Sequence, residues 1–171
     1  MKLYKFRDKY PVIAKSAYIQ DGVKILGDVV VEDGVGIWFN STIRGDMSKI
    51  TIKKNSNIQE LTTIHSDAPH DVIIGEGTTI GHNCIIHGAK IGDNVVIGMG
   101  STLLNGSEIG ANCLVGAGSL ITQNAKFESG MLIVGRPAKV IRELNEKELE
   151  YIKKNGEHYC QLAQEYLENN Y

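Results

Sequence analysis

Residues 74–103 read IGEGTTIGHNCIIHGAKIGDNVVIGMGSTL, and this stretch decides the fold. A large aliphatic residue recurs every six positions, and a small residue follows it four positions later. Across the chain, the aliphatic members of these pairs are Ile25, Val31, Ile37, Ile52, Ile58, Ile74, Ile80, Ile91, Ile97, Leu103, Ile109 and Val115. A period of six does not fit an amphipathic helix, whose apolar stripe needs steps of three and four residues.

A six-residue period predicts short strands separated by sharp bends. Glycine often follows the aliphatic residue, and we expect it where the backbone must take a positive φ. Three units make one triangular coil of about 18 residues with the aliphatic side chains inside. We therefore predict an all-β solenoid at 1–143, a parallel β-helix with an N-terminal cap strand. One interior row should contain Ile37, Ile58, Ile80, Ile97 and Val115.

The remaining residues, 144–171, predict a C-terminal helical segment. Asn145 and Glu148 have the spacing of a capping box. We expect the pair Asn155-Gly156 to divide the segment into two helices, because this dipeptide is typical of turns. The segment either covers one end of the solenoid or lies along its coils.

The composition fits one cytoplasmic domain that binds neither nucleic acid nor membrane. The 171 residues carry a net charge of −2, without the basic run that a nucleic-acid partner requires. No apolar run approaches the roughly 20 residues that span a bilayer. The N-terminal stretch MKLYKFRDKY lacks the apolar centre of a signal peptide. Widely spaced cysteines argue against a disulfide framework or a thiolate zinc site.

Three intervals break the six-residue period, at 43–52, 64–74 and 86–91. All three follow the same face, so they stack at one corner, and solenoids place function on such loops. Each interval starts at an inward-facing isoleucine, and the residues directly after these isoleucines are Arg44, His65 and His87. They should point outward as one column on coils about 4.8 Å apart. That spacing allows His65 and His87 to share one metal ion.

His82 follows the preceding face, so within one chain it should point away from that column. A trimer would bring the His82 face of one subunit against the His65/His87 column of the next. Three imidazoles with an open fourth position, filled by water, form the typical site of a catalytic zinc. Spacing alone leaves solvated surface histidines as the alternative, which is how we interpret His70 and His158.

Four motifs resemble the γ-class carbonic anhydrase family: IRGD at 43–46, NIQE at 57–60, IH at 64–65 and GHNCIIHG at 81–88. The exit segment IVGRPAKVIR at 133–142 is also similar. The resemblance implies a left-handed β-helix and a homotrimer with Zn²⁺ at each interface, where Fe²⁺ or Co²⁺ can substitute. His65 and His87 would come from one subunit and His82 from its neighbour. The implied activity is that of a lyase, the reversible hydration of CO2 to bicarbonate by a zinc-bound hydroxide.

The resemblance also assigns roles by position. Gln59 is similar to the family glutamine that orients the metal-bound water, and Arg44 and Asp46 resemble an interface pair near the bicarbonate site. Further candidates are Asn57 and Glu60 at the same interface and Tyr159 from the C-terminal segment. Glu60 stands where the family usually has aspartate.

The loop after His65 is short and lacks the glutamates that fast family members use to move protons. His70 or Asp67 is the candidate proton relay, since histidine titrates near neutrality.

Other functions share this fold. Hexapeptide-repeat acyltransferases use an acyl-CoA and typically a single catalytic histidine, so the column of Arg44, His65 and His87 argues against a transferase. A related group hydrolyses CoA thioesters, and a non-catalytic metal-bound trimer is a third alternative. Parallel assays of CO2 hydration, CoA-thioester hydrolysis and acetyl transfer separate these classes.

Overall fold

The computed structural model describes residues 1–169, so positions 170–171 of the predicted helical segment lie outside the described residues. In chain order the elements are β1 (Lys2–Tyr4), β2 (Val12–Ile13), β3 (Tyr18–Ile19), β4 (Lys24–Val31), β5 (Gly36–Ile37), β6 (Thr42–Ile52), β7 (Asn57–Ile58), β8 (Thr63–His65), β9 (Val72–Ile74), β10 (Thr79–Ile80), β11 (Ile85–His87), β12 (Lys90–Ile91), β13 (Val96–Ile97), β14 (Thr102–Leu103), β15 (Glu108–Ile109), β16 (Leu114–Val115), β17 (Leu120–Ile121), β18 (Lys126–Phe127), β19 (Met131–Gly135), β20 (Ala138–Glu143) and α1 (Glu146–Asn169).

The strands form a parallel β-solenoid of about seven turns with three faces. The first face contains β1, β8, β11, β14 and β17, and the second contains β2, β9, β12, β15 and β18. The long strands β4 and β6 bend around the corner and belong to both. The third face runs from β3 through β5, β7, β10, β13 and β16 to β19, where β20 turns back antiparallel.

The interior row predicted from the sequence is confirmed. Ile37 pairs with Ile58, Ile58 with Ile80, Ile80 with Ile97, and Ile97 with Val115. All five side chains are fully buried. Because each six-residue unit adds one aliphatic side chain to such a row, hydrophobic burial repeats from coil to coil and fixes the register.

Glycines at the bends, such as Gly77 and Gly100, have the expected positive φ, whereas the glycines directly after the aliphatic residues do not. Gly75 has no positive φ; instead, a Cβ there would lie 2.2 Å from the carbonyl oxygen of Gly92 in the next coil. Close stacking of backbones therefore requires glycine at this position. The positive φ angles occur at the bends that follow, often on asparagine, as at Asn83 and Asn94.

The helix α1 begins at the predicted capping box and lies along the third face. The Asn145 side chain accepts a bond from the Glu148 amide at 3.0 Å, and the Glu148 carboxylate accepts one from the Asn145 amide at 2.9 Å. The predicted break at 155–156 is wrong, because the helix is continuous. A Cβ on Gly156 would lie 2.8 Å from the Gly77 carbonyl oxygen, so this glycine allows the helix to approach the coil.

Among residues 1–169, no helix is long and apolar enough to cross a membrane.

Candidate metal centre

The predicted column is present on the first face of the solenoid. Arg44 pairs in register with His65, and His65 with His87. The neighbouring Asp46 accepts a bond from the Arg44 guanidinium, Nη1 to Oδ2, at 2.5 Å. The resemblance implies that Arg44 and Asp46 form a pair at a subunit interface. In the structure the two side chains form an ion pair within one chain, so Arg44 does not need a second subunit to neutralise Asp46.

His65 is held between Asp46 and His87. Its Nε2 lies 3.1 Å from Asp46 Oδ1, and its Nδ1 lies 3.1 Å from His87 Nε2. Burial alone would raise the pKa of Asp46, but bonds from Arg44 and His65 outweigh it and lower that pKa. Burial and the Arg44 charge lower the pKa of His65. An ionised Asp46 carboxylate can only accept a hydrogen bond. Neutral His65 therefore donates its Nε2 proton to Asp46, and its Nδ1 keeps a free lone pair.

His87 has a second partner that the sequence analysis missed. Its Nδ1 lies 2.8 Å from Oδ1 of Asn105, in the bend after β14. With Nδ1 donating to this oxygen, Nε2 keeps its lone pair. Two lone pairs, on His65 Nδ1 and His87 Nε2, then face each other at 3.1 Å, and a cation between them removes their repulsion.

These atoms fit a divalent metal. Two ligand nitrogens at about 2.05 Å from a tetrahedral metal lie roughly 3.3 Å apart, close to the 3.1 Å observed between His65 and His87. Within residues 1–169, the one group of three side chains close enough to bind a metal is His65, Asp67 and His87. An Asp67 oxygen lies 4.0 Å from His87 Nε2 and its side chain is 59% exposed.

His82 lies apart from this group, beyond the end of β10 on the third face. Its Nδ1 lies 2.6 Å from Glu60 Oε2. A carboxylate only accepts, so His82 donates from Nδ1 and its Nε2 is the nitrogen available to a metal. The extra methylene of Glu60 therefore does not prevent a carboxylate–histidine contact.

The other predicted residues lie beside His82. Gln59 donates from Nε2 to Asn57 Oδ1 at 3.4 Å, and Asn57 donates to Thr79 Oγ1 at 2.8 Å. Tyr159 reaches this group from α1 and interacts with Gln59. Burial, followed by the nearby charge of Glu60, raises the Tyr159 pKa. The predicted site thus occupies two separate surfaces of one chain, which we name the His65 half-site (Arg44, Asp46, His65, Asp67, His87 and Asn105) and the His82 half-site (Asn57, Gln59, Glu60, His82 and Tyr159).

His70 belongs to neither half-site. It lines a cavity of about 340 Å³ together with Lys90 and Lys126, and none of His65, His82 and His87 lines this cavity. Of the two candidate proton relays, Asp67 is the one that approaches the histidine pair.

Comparisons with known proteins agree with the motifs. Carbonic anhydrase from Geobacillus kaustophilus is 42% identical over 171 residues, covering 95% of this chain and 93% of that protein. γ-Carbonic anhydrase 1, a mitochondrial protein of Arabidopsis thaliana, is 34% identical over 95% of this chain. The chain belongs to the γ-carbonic anhydrase-like family. It spans 62% of the length of the Arabidopsis relative, less than two thirds.

Other matches reflect the repeat that this family shares with transferases. The family model for the bacterial transferase hexapeptide, six repeats, matches residues 88–123. A crystal structure from Bacillus cereus, described provisionally as an acetyltransferase, is 41% identical, with a TM-score of 0.95 and coverage of 96% of both chains. The repeat supplies a scaffold for several chemistries, so the site must decide among them.

Proposed function

We propose that the chain assembles as a homotrimer in which His65 and His87 of one subunit and His82 of the next bind a divalent metal, preferentially Zn²⁺, and that this centre hydrates CO2 to bicarbonate. One observation carries the proposal: each histidine has one ring nitrogen bonded to a fixed oxygen, of Asp46, Glu60 or Asn105. Such outer partners orient metal-binding histidines and set their tautomers. Fe²⁺ and Co²⁺ remain alternatives, because imidazoles select weakly among these metals.

Exposed apolar side chains beside both half-sites support the trimer. Ile85 is 46% exposed and lies two residues before His87 on β11, so both side chains face the same side of the strand. Leu61 is 59% exposed and follows Glu60 directly. In the proposed trimer the neighbouring subunit would cover both side chains and remove their apolar surface from water.

Leu61 also has an unusual backbone conformation. Its φ is +61°, a region taken at several other bends by asparagine or glycine and sparsely populated by leucine. A strained and exposed leucine suggests selection for a contact rather than for the fold of one chain.

Leu61→Asn is therefore expected to weaken the trimer without harming the coil. Asparagine tolerates the positive φ, while each interface loses up to about 2 kcal/mol of apolar burial. Light scattering across a dilution series measures assembly, and circular dichroism checks the fold. Leu149→Asn, at an exposed position on α1, is the matched control. If both variants dissociate at the same protein concentration, Leu61 does not lie in the interface.

Each residue of the centre has a part in the proposed reaction, in which CO2 and water give bicarbonate and a proton. When bound, the metal lowers the pKa of a coordinated water toward about 7 and supplies the nucleophile. Gln59, which donates a hydrogen bond to Asn57, orients that water. Arg44, with donors left over from Asp46, attracts the bicarbonate anion. The exposed Asp67 carries the released proton to the solvent.

Hydration is expected to be slow in dilute buffer and to accelerate with added imidazole, because the short loop provides few proton carriers. Asp67→Asn should lower the rate in dilute buffer several-fold, and imidazole should restore it. His70→Ala is the matched variant and should have little effect. Metal content is measured on each sample, since Asp67 also lies within reach of a metal. Fast turnover independent of buffer would contradict this account.

Acyl transfer and thioester hydrolysis are the competing functions, and the description of the Bacillus cereus structure favours testing the first directly. One metal-loaded sample should be assayed for CO2 hydration, CoA-thioester hydrolysis and acetyl transfer. Hydration that disappears in Gln59→Ala supports the proposal. Robust thioester hydrolysis or acetyl transfer without hydration would replace it, and three inactive assays with metal bound would favour a structural trimer.

A further inference from the structure

Asn105 is brought to His87 by a difference in length between two neighbouring bends. Ile86 pairs with Leu103, 17 residues later, whereas Ile91 pairs with Ile109, 18 residues later. The coil containing Asn105 therefore has one residue more between the first and second faces. That bend carries the Asn105 side chain to 2.8 Å from His87 Nδ1.

The backbone next to His87 leaves room for this contact. Gly88 has a φ of +60°, and a Cβ at this position would lie 2.1 Å from Asn105 Oδ1. Any other residue at 88 would displace the amide from its place beside the imidazole. The short bend after His87 and the absence of a side chain at Gly88 thus both allow Asn105 to reach the Nδ1 atom of His87.

We propose that Asn105 is a positioning residue that holds His87 in the tautomer with its proton on Nδ1. A neutral imidazole carries one proton, and the histidine Nε2 position is a ligand only when that proton is on Nδ1. The amide oxygen accepts the Nδ1 proton, so the Nε2 lone pair is directed at the space beside His65 Nδ1. Asn105 acts through His87 and does not itself need to touch metal or substrate. Its expected effect on metal affinity depends on the proposed function, whereas its effect on the tautomer does not.

The test compares an acceptor with an apolar side chain of similar size. Asn105→Asp keeps an oxygen that accepts, and Asn105→Leu removes it. Gln123→Leu is the matched control, because Gln123 is exposed in the bend after β17, on the coil that follows Asn105, and its φ is not positive. In metal-free protein labelled with ¹⁵N-histidine, nuclear magnetic resonance reports which ring nitrogen of His87 carries the proton. Competition with a chelator then measures Zn²⁺ affinity.

The wild type, Asn105→Asp and Gln123→Leu should all hold the proton on Nδ1, and Asn105→Leu should lose this preference. Zn²⁺ affinity should fall about 10- to 100-fold in Asn105→Leu and stay within a few-fold of wild type in the control. An unchanged His87 tautomer in Asn105→Leu overturns the inference. So does its loss in a folded Asn105→Asp protein, because Asn105 would then be a donor. A tautomer that follows the prediction in a protein that binds no Zn²⁺ would support the role of Asn105 and refute the metal centre.

Discussion

Replacing His65, His82 and His87 together by alanine is expected to reduce the bound metal from about one ion per chain to none. Each histidine has one ring nitrogen hydrogen-bonded to Asp46, Glu60 or Asn105, which leaves its other ring nitrogen as the metal ligand in the proposed centre. Loss of all three donors removes every imidazole of the proposed centre. Elemental analysis of protein purified after metal loading gives the answer directly.

The double variant of His70 and His158 to alanine is the control, because neither lies in a half-site. A triple variant that keeps its full metal content would show that the site is elsewhere. The single variant His82→Ala distinguishes two possible ligand sets. Full metal content in His82→Ala would indicate a centre within one chain, made by His65, Asp67 and His87, and Asp67→Asn should then lose the metal.

The solenoid could be predicted in detail because its repeat is local. Each aliphatic residue specifies its own position, and the row from Ile37 to Val115 needed only the count of six. The length of the helix was harder to predict. A glycine that allows close packing, such as Gly156, cannot be distinguished in the sequence from a glycine that ends a helix. What separates them is the Gly77 carbonyl on a distant coil, which no local pattern reveals.

The same distinction applies to the site. Register alone placed Arg44, His65 and His87 in one column and His82 on another face. Asn105 was missed because the count that links it to His87 passes through a bend of altered length. The signal was present: the interval 86–91 is one residue short, while 103–109 is not. Side-chain pairing, as in Arg44 with Asp46 inside one chain, depends on rotamers that the repeat does not fix.

Mixed trimers should recover metal that neither parent variant binds. Chains with His82→Ala still supply His65 and His87, and chains with both His65→Ala and His87→Ala still supply His82. In a cyclic trimer each site joins one subunit to the next, so any mixed trimer has one complete site in three. Two affinity tags, one on each variant, isolate the mixed species after co-expression. Their metal content should be about one ion per trimer, against about three in the wild type and none in either homotrimer.

This experiment separates an intersubunit centre from one within a single chain. If His65, Asp67 and His87 were sufficient, His82→Ala homotrimers would be fully loaded, and mixed trimers would bind metal in proportion to their His82→Ala chains. We expect His82→Ala homotrimers to bind no metal instead. His82 is hydrogen-bonded to Glu60 on the third face, whereas His65 and His87 lie in register on the first, so one chain does not bring the three histidines together. CO2 hydration measured on the same mixed trimers should recover to about a third of the wild-type rate, since each complete site contains its own Gln59 and Arg44.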